Sequence, residues 1–166
     1  YDLRAGGAVT QSGDLAITGV TTLVAGSNAI TLDRAGNDFQ AAVIITSGGN
    51  VALRDAGAIE LGAATVSGTY SVTAGGAVTN SDTQEITGIT TISASSHNVT
   101  LDTATNNFAN EVRTTGAAVT VVDEDAINLG ASTVSGAYSV TAGGAVTNSG
   151  TLVIPNTTTI SAVNGS

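Results

Sequence analysis

Apolar and polar residues alternate along short runs of this chain. Leu15-Ala16-Ile17, Ala29-Ile30-Thr31-Leu32 and Tyr70-Ser71-Val72-Thr73 are typical. A period of two puts successive side chains on opposite faces of an extended backbone, so each run reads as a half-buried strand. Gly, Asn and Ser close the runs, and these residues favour bends. Thr, Val and Ile fill them, as suits a pleated, half-buried surface. The pattern predicts many short strands separated by tight corners.

The strands recur in blocks. Thr65–Ser81 reads TVSGTYSVTAGGAVTNS, and Thr133–Ser149 reads TVSGAYSVTAGGAVTNS. A weaker copy, YDLRAGGAVTQS, spans Tyr1–Ser12. Ala5 corresponds to Ala74 and Ala142, at intervals of 69 and 68 residues. Other landmarks keep the beat: Leu32-Asp33 with Leu101-Asp102, Asn37-Asp38-Phe39 with Asn106-Asn107-Phe108, and Ile59-Glu60-Leu61-Gly62 with Ile127-Asn128-Leu129-Gly130. The chain divides into copies at 1–69, 70–137 and a partial third at 138–166, within one repeat domain spanning 1–166.

Inside each copy the corner-plus-apolar-pair motif returns as AGGAVT at Ala5, AGSNAIT at Ala25 and SGGNVAL at Ser47. That gives about three coils per copy, each of roughly 20–27 residues, a range typical of solenoids, propellers and arrays. A coil of that length cannot close a core alone, so stacked coils must share one. The expectation is an all-β parallel β-helix (β-solenoid) of about seven coils, with a 68–69-residue super-repeat of three coils. At the usual strand spacing it would form a rod roughly 34 Å long. Equivalent residues are then expected three coils apart. Asn28, Asn50 and Asn98 sit near comparable corners and are candidates for a hydrogen-bonded ladder.

Composition narrows the role. Net charge is −9, with 13 acidic and 4 basic residues and no Lys. Nucleic acid and anionic membrane surfaces need basic patches, so neither is an expected partner. No apolar run approaches the ~20 residues of a membrane-spanning helix. Without Cys there is no disulfide and no thiolate site. Tyr1 starts in register with Tyr70 and Tyr138, and the sequence stops at Gly165-Ser166 part way through a coil. Neither end reads as a polar cap, so the chain is expected to be a segment of a longer repeat protein.

Candidate chemistry is tested by comparing copies, because a repeated site should reappear. His97 falls where Asn28 stands, which reads as a surface corner. Arg4, Arg34, Arg54 and Arg113 have no cationic counterparts in the other copies, so no shared groove emerges. Asp33 matches Asp102, and Asp55 matches Asp123. The loops Asp33–Asp38 and Asp102–Asn107 are rich in oxygen, as is Asp123-Glu124-Asp125. Turn capping by Asp and Asn is the favoured reading, and calcium, which takes six to eight oxygens, is the alternative. No GxSxG, HExxH, phosphate-loop or dinucleotide motif occurs. No catalytic, cofactor-binding or metal residue is therefore expected. All five aromatics lie at two repeat positions: Tyr1, Tyr70 and Tyr138 at one, Phe39 and Phe108 at the other. The phenylalanines read as core or corner anchors. The tyrosines either pack, the favoured reading, or line an outer face. Thr21-Thr22, Thr90-Thr91 and Thr157-Thr158-Thr159 recur once per copy, too sparse for a threonine row on every coil.

AGGAVTNSG, GSNAITLD, NDFQAAV and LGAATVSG resemble repeats of very large secreted bacterial exoproteins of the filamentous-haemagglutinin kind. The resemblance covers nearly the whole chain. It implies a parallel β-helix at the cell surface, carrying adhesive regions and contacting neighbouring repeats or host or cell-surface glycans and proteins. The expected function is a structural, non-enzymatic rod or fibre segment of an extracellular adhesin. The alternatives are a filament subunit stacking end to end, or a glycan- or ice-binding solenoid.

Overall fold

A computed structural model describes residues 1–163, and the Gly165-Ser166 end discussed above lies outside the described residues. The chain winds as a parallel β-solenoid of about eight turns. Every strand pairing among the described residues is parallel. Two long sheets run along the rod. The first is the path from Asp2–Arg4 through Thr21–Val24, Val43–Gly48, Ile59–Val66, Val78–Asn80, Val99–Leu101, Val119–Asp123 and Tyr138–Ala142 to Thr158–Ala162. The second runs from Val9–Thr10 through Ile30–Leu32, Val51–Asp55, Tyr70–Ala74, Thr90–Ser93, Glu111–Gly116 and Ile127–Leu129 to Val146–Asn148. Eight steps at the usual parallel spacing give a rod about 38 Å long.

The coils are shorter than the sequence suggested, which is why there are about eight and not seven. Register steps run from 17 residues, at Val112 to Leu129, up to 23, at Val24 to Ser47. The longer coils carry a small third edge: Ala16–Ile17 beside Asp38–Phe39, and Gln84–Ile86 beside Asn107–Phe108. The short ones, such as the 18-residue step from Val43 to Leu61, cut across that edge.

Three whole coils fit in each 68–69-residue unit, with about half a coil left over. Thr21–Val24 therefore lies in the first sheet, its counterpart Thr90–Ser93 in the second, and the next, Thr158–Ala162, in the first again. Tyr70 likewise belongs to the second sheet and Tyr138 to the first. Repeat-equivalent residues thus alternate between opposite faces of the rod.

Alternation sets what is inside. Thr21–Val24 and Val119–Asp123 bury every other residue. Stacks such as Leu53, Val72 and Ile92, or Val78, Val99 and Val119, run up the interior. Fully burying a Val, Leu or Ile side chain is worth about 1.5–3 kcal/mol, and each coil lends its inner surface to the next. Phe39 and Phe108 are buried at the edge pairs, as anticipated. Gly26, with φ 59°, turns a left-handed corner that returns at Ser95 with φ 51°. Serine carries there a conformation that glycine adopts without cost.

Candidate functional site

The features that recur with chemistry are buried polar side chains at the corners. Asp55 and Asp123 close the strands Val51–Asp55 and Val119–Asp123, and both are 2 % exposed. Asp55 Oδ2 accepts the Phe39 amide at 2.7 Å, and Oδ1 accepts that of Gly57 at 2.7 Å. Asp123 repeats the arrangement with Phe108 at 2.9 Å and Asp125 at 2.8 Å. Each carboxylate thus satisfies the amide of the edge phenylalanine on one side and caps its own corner on the other. This is the capping role that the repeat match suggested. Burial pushes both carboxyls above the ordinary aspartate value of 3.8, while the two amide donors hold them back. Asp38 adds repulsion at Asp55, and Asp125 and Glu124 add it at Asp123.

Between 3.8 and the raised folded value, the folded chain binds more protons than the unfolded one. The contribution of these two groups therefore falls as pH rises through that window and is largest below it. Lowering the pH into the window is expected to shift the urea midpoint of the wild type upward relative to that of Asp55→Asn/Asp123→Asn. Parallel pH profiles for the two proteins would contradict it.

A second pair of matched groups was not legible as a site. Asn37 and Asn106 are fully buried. Asn37 Oδ1 accepts the Leu15 amide at 3.0 Å, its Nδ2 donates to the Leu32 carbonyl at 3.0 Å, and the amides of Asn37 and Gln11 bond reciprocally at 2.7 and 2.9 Å. Asn106 takes the Gln84 amide at 3.0 Å and Asn80 Nδ2 at 2.8 Å, and donates to the Leu101 carbonyl at 3.3 Å. Gln11 and Asn80 are themselves repeat-equivalent, which was the available signal. The oxygens of the two loops are therefore not gathered outward. Asn37 and Asn106 turn inward, while Asp33 and Asp102 stay exposed. Among the described residues, no three His, Asp or Glu side chains cluster as metal ligands.

The other candidates are dispersed. Asn28, Asn50 and Asn98 make no ladder. Their side chains bond backbone at Ala25, Thr69 and Ala118, and Asn98 lies beside the opposite sheet from the other two. His97 is an exposed corner residue. Arg4, Arg34 and Arg113 each pair with a local acid, Asp2, Asp14 and Glu111 respectively. A cavity of about 280 Å³ opens where the Asp38–Phe39 edge ends. Gln40, Glu60 and Thr79 line it, with Asp38 and no cation.

Tyr70 and Tyr138 do not face outward; each is 1 % exposed, and neither hydroxyl reaches a full hydrogen bond. Burial pushes both phenols up. At Tyr138 the Thr114 and Ser132 hydroxyls lie close enough to temper that shift. The equivalent positions in the preceding copy hold Ile45 and Ala64. An unpaired buried hydroxyl costs about 1–3 kcal/mol. Tyr70→Phe is accordingly expected to stabilise the fold by about 1–2 kcal/mol, and Tyr138→Phe to be near neutral. Urea denaturation of the two variants measures the contrast, and equal shifts would refute it.

A family model described as "Repeats of unknown function (DUF5649)" matches residues 1–46, 48–115 and 116–166. No curated protein and no solved structure matches the chain. The match supports the repeat character, and no match ties the chain to filamentous haemagglutinin itself.

Proposed function

Because the chain belongs to the family of repeats of unknown function (DUF5649), we propose that it is a structural, non-enzymatic rod segment of a large extracellular surface protein. A repeat β-solenoid is consistent with a structural role. The observation that carries the reading is the unbroken stacking, among the described residues, of coils of 17 to 23 residues into two continuous sheets. Such a stack is stiff, because strand pairing and one continuous core run along its axis. Stiffness and length serve to hold distant binding regions away from a surface. The matched polar groups fit the same purpose, since Asp55, Asp123, Asn37 and Asn106 all bond to backbone between neighbouring coils or corners. An excess of acidic over basic residues keeps neighbouring rods apart and leaves them soluble.

Two measurements test this. Antibody against the chain should label intact, unpermeabilised cells of the source organism, and negative-stain images of the parent protein should show single rods. Labelling only after permeabilisation would refute the surface placement. Endless uniform fibres would move the role from stalk to filament.

A further inference from the structure

The half-coil offset assembles something that the linear sequence disguises. On the outer side of the first sheet, Thr79, Thr100, Thr120, Ser139 and Thr159 occupy consecutive coils in direct register. Read along the chain, threonine pairs come once per copy. Folded, hydroxyl residues contributed by different repeat positions line up on five successive coils. A second row runs beside the first, with Val122, Thr141 and Ser161 on the last three coils. The other sheet carries the repeat-equivalent patch, where Ser71 and Thr73 stand beside Thr91 and Ser93.

The geometry points to these rows as an ice-binding face, with the surface of an ice crystal as the ligand. Three observations lead there. Successive residues within a row are spaced by the strand separation, about 4.8 Å, close to the oxygen repeat along the a axis of ice, and a paired sheet holds that spacing rigidly. Every residue of the first row offers a hydroxyl, and in Thr a methyl as well, while Val122 of the second offers methyls alone, and no charged side chain stands in the row from Thr79 to Thr159. The threonine hydroxyls that do bond within the chain, on Thr69, Thr83, Thr105 and Thr147, lie elsewhere. Ordered water can therefore bond to an array already fixed in place, without the entropy cost of ordering it on contact. A sugar surface is the less favoured occupant, because Tyr70 and Tyr138, which would stack on rings, are buried.

The test is thermal hysteresis and ice-crystal shaping by the purified chain. The wild type is expected to depress freezing below melting and to grow faceted crystals. Thr120→Tyr/Ser139→Tyr places two bulky side chains on the row and should remove most of the hysteresis. Glu85→Tyr, exposed on the small edge strand and off both rows, should retain it. Circular dichroism and sedimentation of each variant establish that it is folded. A folded wild type with no hysteresis and round crystals overturns the inference. So does hysteresis that the double variant leaves unchanged, and so does retention on insoluble chitin or cellulose without any hysteresis. None of these outcomes bears on cell-surface labelling, so the rod reading stands or falls separately.

Discussion

Gly75→Ala is expected to destabilise the rod by about 3 kcal/mol, whereas Gly6→Ala, at the equivalent position of the first copy, should be nearly silent. The two glycines occupy the same place in the AGGAVT corner. A methyl on Gly75 would land on the carbonyl oxygen of Ala56, with the Ala56 carbonyl carbon at 2.9 Å. Nothing lies within 4 Å of a methyl on Gly6. The obstacle is backbone, not the movable end of a side chain, so the coils must separate. Separation strains the Gly75 amide bond to the Asp55 carbonyl, 3.0 Å, and the Gly76 bond to Gly57, 2.7 Å. Gly143 repeats the arrangement against Glu124. For a chain of this size the loss corresponds to roughly 6–12 °C in the melting midpoint. Calorimetry of the two variants decides it: equal midpoints would show that coil-to-coil contact does not govern this corner.

That contrast also explains why the AGGAVT glycines could be read as tight corners while the reason stayed hidden. Gly26 is the one glycine of positive φ among the described residues, and the Gly75-Gly76 corner uses ordinary dihedrals. What the corner demands is room for the coil beneath, and that demand appears only when coils are stacked. Alternation and the 68–69-residue period were enough to predict strands, a parallel solenoid and a shared core. The number of residues per coil was not, because corners of different length carry similar Gly and Asn signals. Coils of about 20 residues leave each unit half a coil out of phase. From that single quantity follow the separation of Asn98 from Asn28 and Asn50, the alternation of tyrosine positions between sheets, and the continuous hydroxyl row assembled from scattered threonines and Ser139.

The buried polar groups divide in the same way. Asp55 and Asp123 were visible as a matched pair, and capping was the correct chemistry for them. What the sequence did not reveal was their burial, or that one oxygen of each reaches back 15 or 16 residues to a phenylalanine amide. Asn37 and Asn106 stood beside those phenylalanines as landmarks only. Their partners Gln11 and Asn80 lie 26 residues upstream, more than one coil away, beyond the reach of any local turn motif.

Asn106→Leu should therefore cost about 3–5 kcal/mol, in the range set by orphaned buried hydrogen-bonding groups. Leucine has similar volume, so little of the loss arises from a cavity. Three groups lose their partner at once: the Gln84 amide, the Leu101 carbonyl and Asn80 Nδ2. Asn80 has a second use for the same nitrogen, the Asp82 carbonyl at 3.0 Å, and its oxygen still accepts the Asp102 amide at 3.1 Å. The side-chain pair is thus the replaceable part, and the two backbone groups are the costly part. A double-mutant cycle with Asn80→Leu separates them. Coupling between the two asparagines should be about 1 kcal/mol, with most of the Asn106 loss persisting when Asn80 is already leucine. If the loss instead vanishes in the Asn80→Leu background, Asn106 acts through the side-chain pair, and its bonds to Gln84 and Leu101 carry little of the stability. Amide exchange at Gln84 supplies the local readout: in Asn106→Leu it should accelerate well beyond that of Val99 and Val119, which pair in the adjoining strands of the same rod.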